Sequence, residues 1–292
     1  MTDKIIEEKK DYMDRIGRLK ERLLNTRPEM DLENAVILTK GFQESEGQPL
    51  AVQKAYAFKK QCEEKTVKIW DDELIVGNAG SKQRGGLLSV DTCWSVLDAE
   101  LDTIGTREYD PFFLTDEDKK NFLEIIKPYW KGRSTYEQWL AQCPEDARVL
   151  RDCGALYINR KGVRGWGETT AGYSLIINKG MQGIKTRIKE VRDTLDITRP
   201  GEYAKLEYLK ALDLAADGVT ILSKRYAAEA RGMAALEKNE QRRQELLDIA
   251  ATCDQVPEKP ARTFREAIQS MYIYQNCIFM EQNAASYNPG RM

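Results

Sequence analysis

Three acidic residues, Asp71, Asp72 and Glu73, stand together in "TVKIWDDELIVGNAG", Thr66 to Gly80. Carboxylates at this density can hold metal ions. Neighbours along an extended chain point to alternate sides, however, so the three do not converge on one ion. A turn with a solvated face is the reading they support. The cysteines Cys62, Cys93, Cys143, Cys153, Cys253 and Cys277 form no C-x-x-C pair and read as reduced, mostly buried thiols. The sequence has no histidine. That removes the commonest base near neutral pH and the commonest metal ligand. A Ser-His-Asp triad, an H-E-x-x-H zinc site and an ordinary Cys-His zinc site are all excluded within this chain. Neither G-x-x-x-x-G-K-[ST] nor G-x-G-x-x-G occurs, so the familiar nucleotide-binding chemistries lack support. No metal site is expected.

The elements that would position any site are mostly helices. Ile6, Met13, Ile16, Leu19, Leu23 and Leu24 recur at helical spacing and predict an amphipathic helix over Ile6 to Leu24, interrupted by Pro28. Further helices are expected at Leu32 to Glu44 and Ala51 to Glu64. Two short β-prone pieces flank "DDE". Gly77, Gly80, Gly85 and Gly86 then argue for a folded loop rather than a linker. Thr92 to Leu101 reads as a helix. Thr115 with the acidic residues after it signals a helix start, and that helix should end before Pro128. Short helices follow at Ser134 to Ala141 and Pro144 to Cys153. The segment "YINRKGVRGWGETTAGYS" is the least regular. A long helix from Glu202, locally weakened by "ADG" at Ala216 to Gly218, precedes helices at Asn239 to Cys253 and beyond the Thr263–Glu266 capping pattern.

The 292 residues are 41% hydrophobic and 32% charged, with 45 basic and 47 acidic side chains for a net charge of -2. Such a chain can bury a sizeable core. The charge balance makes no case for binding nucleic acid. The start shows no signal peptide and no stretch approaches a membrane span, so no membrane association is expected and the default location is cytoplasmic. Nothing in the sequence indicates an enzyme microcompartment. No repeat or interdomain linker is evident.

The succession "DDELIVGNAG", "ELDTIGTREYDPF", "LTDEDKK", "KPYW", "GWGETTAGYSLIINKGMQGI", "VPEKPARTFREAIQSMY" and "YNPGRM" covers nearly the whole chain. It resembles the N-terminal part of glycyl radical enzymes of the pyruvate formate-lyase superfamily. The diol dehydratase, hydroxyproline dehydratase and choline trimethylamine-lyase branches are the most alike. The resemblance implies a mainly α chain with short β-strands. It would be the N-terminal helical part of an α/β barrel and incomplete by itself, with residues 1–292 lying in one domain. "NPGRM" resembles the family's G-R-[FM]-D-Q-Y segment stopped before its Asp. This implies that the thiyl-forming Cys, its neighbouring Glu and the radical-bearing Gly lie outside this sequence. Cys153 in "RDCGALY" lacks the context of the catalytic Cys and reads as a buried or pocket-adjacent structural thiol.

On the same resemblance, Glu168 stands where related dehydratases carry the His of a G-x-G-H pattern. It is the expected catalytic residue, delivered by a loop that Gly165 and Gly167 shape. A carboxylate there can accept a proton, orient a hydroxyl or counter a positive charge. The bland alternative is a surface-loop salt bridge. Glu281, Asn283, Ser286 and Tyr287 fall in the segment that contributes polar substrate contacts. Ala285 and Ser286 replace a His-Ser pair found there in some diol dehydratases.

The function implied is the substrate-cavity and scaffold portion of a glycyl radical lyase or dehydratase. Such an enzyme acts on a small polar substrate by radical C–O, C–N or related bond cleavage. No directly bound cofactor is expected. The glycyl radical would be installed after translation by an iron-sulfur activating enzyme of the radical-SAM type, using S-adenosylmethionine. Partners would be that enzyme and a missing C-terminal portion or complementary chain, and a homodimer is compatible with the family. The 292-residue chain alone is expected to be inactive. The alternative is a naturally truncated, noncatalytic protein that binds a complementary chain or the activating enzyme.

Overall fold

The computed structural model describes residues 2–156, 168, 169, 171–281, 286 and 287. In chain order the elements are α1 (Thr2–Asn25), β1 (Glu29–Asp31), α2 (Glu33–Glu44), α3 (Leu50–Glu64), β2 (Gly85–Leu87), α4 (Val90–Cys93), α5 (Ser95–Glu100), α6 (Asp116–Asn121), α7 (Lys127–Trp130), α8 (Thr135–Gln142), α9 (Glu145–Asp152), β3 (Glu168–Thr169), α10 (Tyr173–Asp193), α11 (Glu202–Leu236), α12 (Glu240–Gln255), α13 (Phe264–Glu281) and β4 (Ser286–Tyr287). The chain is mainly α, with β1 and β2 forming one parallel pair and β3 and β4 another.

The larger core gathers around α11. Its Val219, Leu222, Tyr226, Ala227, Ala230 and Ala234 are buried against residues of α3, α10, α12 and α13. The expected weakness at "ADG" does not occur, because α11 runs unbroken through Gly218. A Cβ there would lie 3.1 Å from Phe58 Cε1 and 3.3 Å from Cys62 Sγ, so the glycine lets α3 approach closely. Tertiary packing outweighs its poor helix propensity. A second core places Leu38 and Phe42 of α2 against Trp94, Leu97, Phe122, Ile126 and Trp130. The Thr115–Asp118 capping box forms as the sequence predicts. The helix it starts does not end before Pro128. A π-helical turn at Phe122–Ile126 carries it into α7, with Lys127 N–H donating to Phe122 O. The wider turn accommodates a residue that lacks a backbone donor.

Strands do not form beside Asp71–Glu73. The segment is instead a folded loop tied down by helix side chains. The buried Lys65 ammonium donates to Thr66 O, Asn78 O and Gly80 O at 3.0, 2.9 and 3.2 Å. Gln269 of α13 both donates to Val76 O and accepts from Val76 N–H. The acidic trio lies in a turn, with Asp72 at φ 68°, but it is not one solvated face. Asp72 pairs with Arg18 of α1, and the half-buried Glu73 accepts from Trp70 N–H at 2.9 Å.

α1 is held to the body by its charged side. Arg15 is buried and reaches Glu245 at 2.6 Å, and Arg18 reaches Asp72 at 2.5 Å. Met13, Ile16, Leu23 and Leu24, which the periodicity groups as the apolar stripe, are exposed. Cys62, Cys93, Cys253 and Cys277 are buried, as expected of structural thiols. Cys153 is exposed, which corrects the buried or pocket-adjacent reading. It follows the last turn of α9, and its thiol donates to Leu150 O.

Burial raises the Glu73 carboxyl from 4.5 to about 7, against the opposing pull of the Trp70 N–H bond, Arg22 and Arg242. The folded chain therefore keeps this proton up to about pH 7, while the unfolded chain releases it near 4.5. The stability that Glu73 contributes in acid is lost as pH rises through that window. Glu73→Gln should be more stable than the parent by about 2 kcal/mol near pH 8, with the difference closing towards about pH 5. Urea unfolding at the two pH values measures it.

Candidate functional site

The two stretches singled out by the sequence lie more than a hundred residues apart, and backbone hydrogen bonding joins them. β3 and β4 run parallel, with Glu168 opposite Ser286 and Thr169 opposite Tyr287. Gly165, Gly167, Asn283 and Ala285 lie outside the described residues. Parallel pairing needs a long crossover, and here α10 to α13 provide it. α10 leaves β3 through Gly172 and is broken at Gly180, where φ is 63°. Met181 N–H donates to Pro257 O, Gln182 N–H to Glu258 O, and Ala261 N–H to Ile177 O, at 2.8, 2.9 and 2.9 Å. A Cβ at Gly180 would lie 2.6 Å from Glu258 O, so only glycine permits this backbone contact. The break anchors the N-terminal half of α10, at Ile177 to Gln182, to the connection between α12 and α13.

Glu281 ends α13, before β4. Its carboxylate is 3.0 Å from the Lys54 ammonium of α3, which also lies 3.4 Å from Asp91 of α4. Burial alone would lower the Lys54 pKa. Asp91 and Glu281 more than reverse that and hold the ammonium charged. Lys54 and Glu281 stand at the lip of a cleft of about 470 Å³ between α3, α10, α11 and α13. Phe58, Met181, Val219 and Tyr274 line its apolar body. Cavities of this size and composition accommodate small ligands through a few fixed polar groups. Tyr173, the first residue of α10, meets Tyr274 edge-to-face, with ring centroids 6.0 Å apart. Cys277 lines the cleft, and behind it burial keeps the Cys62 thiol strongly protonated.

Among the described residues no group of three or more Cys, Asp or Glu side chains can hold a metal ion. No helix among them is long and apolar enough to cross a membrane. Lys54 and Tyr274 carried no signal in the sequence. One is an ordinary lysine on an amphipathic helix, and the other one of several tyrosines in a core-facing stripe.

Two short parallel strand pairs on a mainly helical body, with a cleft between four of its helices, make up the architecture. Residues 7–292 match the family described as pyruvate formate lyase-like, and the chain belongs to that family. It is 32% identical over 287 residues to an isethionate sulfite-lyase from Desulfovibrio desulfuricans, covering 95% of this chain and 34% of that one. A structure described for 1,2-propanediol dehydration in Roseburia inulinivorans superposes with a TM-score of 0.92 at 32% identity, covering 95% of this chain and 35% of that one. The glycerol-bound B12-independent glycerol dehydratase of Clostridium butyricum superposes with a TM-score of 0.91 at 28% identity, with the same coverages. The chain thus spans about a third of the length of its relatives.

The Lys54–Glu281 contact joins α3 to the end of α13 and is only partly solvated. A double-mutant cycle with Lys54→Met and Glu281→Gln, followed by urea unfolding, should give a coupling of about 0.5–1 kcal/mol. A coupling indistinguishable from zero would show that the pair does not anchor α13.

Proposed function

We propose that this chain supplies the substrate-side wall and helical scaffold of a glycyl radical lyase or dehydratase acting on a small polar substrate. The observation that carries the reading is the β3–β4 register, which sets Glu168 beside Ser286 across a parallel pair. The relatives support the reaction class: an isethionate sulfite-lyase, a trans-4-hydroxy-L-proline dehydratase, and a structure concerned with 1,2-propanediol dehydration.

The radical itself, held as a glycyl radical and passed through a cysteine thiyl, removes hydrogen from a substrate carbon. Those two residues belong to the remaining part of the enzyme, and a separate activating enzyme installs the radical from S-adenosylmethionine. Four of the six cysteines have surroundings that do not suit the thiyl role. Cys62 and Cys277 are buried on each other, Cys253 is buried with its pKa raised to about 12, and Cys153 is exposed beside the C-terminus of α9.

What this chain contributes is binding, orientation and proton movement. Glu168 takes the proton of a substrate hydroxyl, or faces a cationic group, as the neighbouring carbon loses its leaving group. Ser286 and Tyr287 supply hydrogen bonds to the substrate's polar end. Glu281 is neutralised by Lys54 and fixes the last turn of α13, so β4 begins from an anchored point.

Glu168→Gln keeps size and hydrogen-bonding reach but removes the negative charge and the base. In the full-length enzyme carrying this segment, the variant should fold and acquire its radical normally while turnover falls about 10²–10⁴-fold. Radical yield by electron paramagnetic resonance and substrate turnover, measured on one preparation, test this together. Normal values for both would return Glu168 to the role of a loop carboxylate.

A further inference from the structure

The cleft between α3, α10, α11 and α13 is apolar through its body and charged at its lip. About 470 Å³ of space is bounded by Phe58, Met181, Ile184, Leu212 and Val219, among others. Lys54 and Glu281 bring the charge, and Tyr208 and Tyr274 bring aromatic rings.

The charge at the lip does not cancel. Lys54 Nζ lies 3.0 Å from Glu281 and 3.4 Å from Asp91, so one ammonium is shared by two carboxylates. Among the described residues, neither carboxylate has another ion-pair partner. Lys54 therefore neutralises Glu281 only in part, and the group carries one surplus negative charge. That surplus reaches the cleft through Glu281, whose side chain is 31% exposed and lines it. The Asp91 side chain is 18% exposed and is not part of the lining.

Different headgroups meet this lip differently. A carboxylate is repelled by the surplus charge. A neutral hydroxyl gains nothing from its sign. A metal ion lacks ligands, because among the described residues no group of three or more Cys, Asp or Glu side chains can hold one. An ammonium is attracted, and it can donate a charge-assisted hydrogen bond to Glu281. The electron-rich faces of tyrosine rings favour a cation further. Behind the headgroup the apolar body favours hydrocarbon, since filling it removes apolar surface from water.

We propose that this cleft is a binding site for a small aliphatic ammonium compound, with its charged end at Glu281 and its hydrocarbon part among Phe58, Met181 and Val219. The inference goes beyond the lyase or dehydratase reading and does not rest on it, because it concerns the cleft alone.

The test is isothermal titration calorimetry of the 292-residue chain at pH 7 with three probes of equal chain length: n-hexylammonium chloride, hexan-1-ol and sodium hexanoate. Hexylammonium should bind about tenfold more tightly than the alcohol, the scale of one charge-assisted hydrogen bond. Hexanoate should bind more weakly than either. Equal affinities for all three would reduce the cleft to an apolar groove and overturn the proposal. Stronger binding of hexanoate, or no binding of any probe, would overturn it as well. Two variants locate the site. In Glu281→Gln the lip is neutral, so the preference for ammonium over alcohol should fall to about one. In Ala215→Leu a larger side chain occupies the cleft wall, and hexylammonium binding should be lost. Undiminished binding or preference in either variant would place the ligand elsewhere and overturn the assignment. The comparison of the three probes on the parent chain decides the question even if a variant does not fold.

Discussion

The structure depends on how closely other helices approach the small-residue face of α11. Gly218, Ala227, Ala230 and Ala234 let α3 and α12 lie against its backbone, so the dispersion contacts of a dense core are available without large side chains. The same helix also satisfies the polar ends of its neighbours. Arg225 donates to Cys62 O and Lys65 O at the end of α3, and Ser223 donates to Cys253 O and Val256 O at the end of α12. Tyr226 accepts from Asn78 N–H in the folded loop after α3. One turn of one helix thus holds the ends of two helices and the loop after one of them. Displacing it would expose helix-end carbonyls as well as apolar surface.

That arrangement reaches the site through α10. The backbone bonds around Gly180 tie α10 to the segment after α12, and Ser223 holds the start of that segment. β3 and β4 have only two residues each. So short a pair has little intrinsic stability, and its register follows from where α10 begins and where α13 ends. The Lys54–Glu281 pair secures the second of these points.

Helix positions were legible in the sequence because their signals are local. The Thr115–Asp118 box, the Asn239 cap and the apolar periods all act within a few residues. The extended pieces beside Asp71–Glu73 were misread as strands because their hydrogen bonds go to Lys65, Arg242 and Gln269, partners that no local pattern reveals. Pro128 and Gly218 were misread for the same reason: a π turn and a close crossing are tertiary solutions to locally unfavourable residues. Glu168 and Ser286 were singled out by family resemblance, not by periodicity. Their adjacency became visible only through the pairing of two strands too short to leave a repeating pattern.

α1 stands apart from the rest in the kind of force that attaches it. The body coheres by burial of apolar surface, which excluded salts strengthen, whereas α1 is fastened through Arg15 and Arg18 to Glu245 and Asp72. Ion pairs near the surface weaken as the screening length shortens to about 8 Å at physiological ionic strength and about 3 Å at 1 M. Rising salt therefore acts in opposite directions on the two parts. An excluded salt consolidates the helical body while weakening the half-exposed Arg18–Asp72 pair more than the buried Arg15–Glu245 pair.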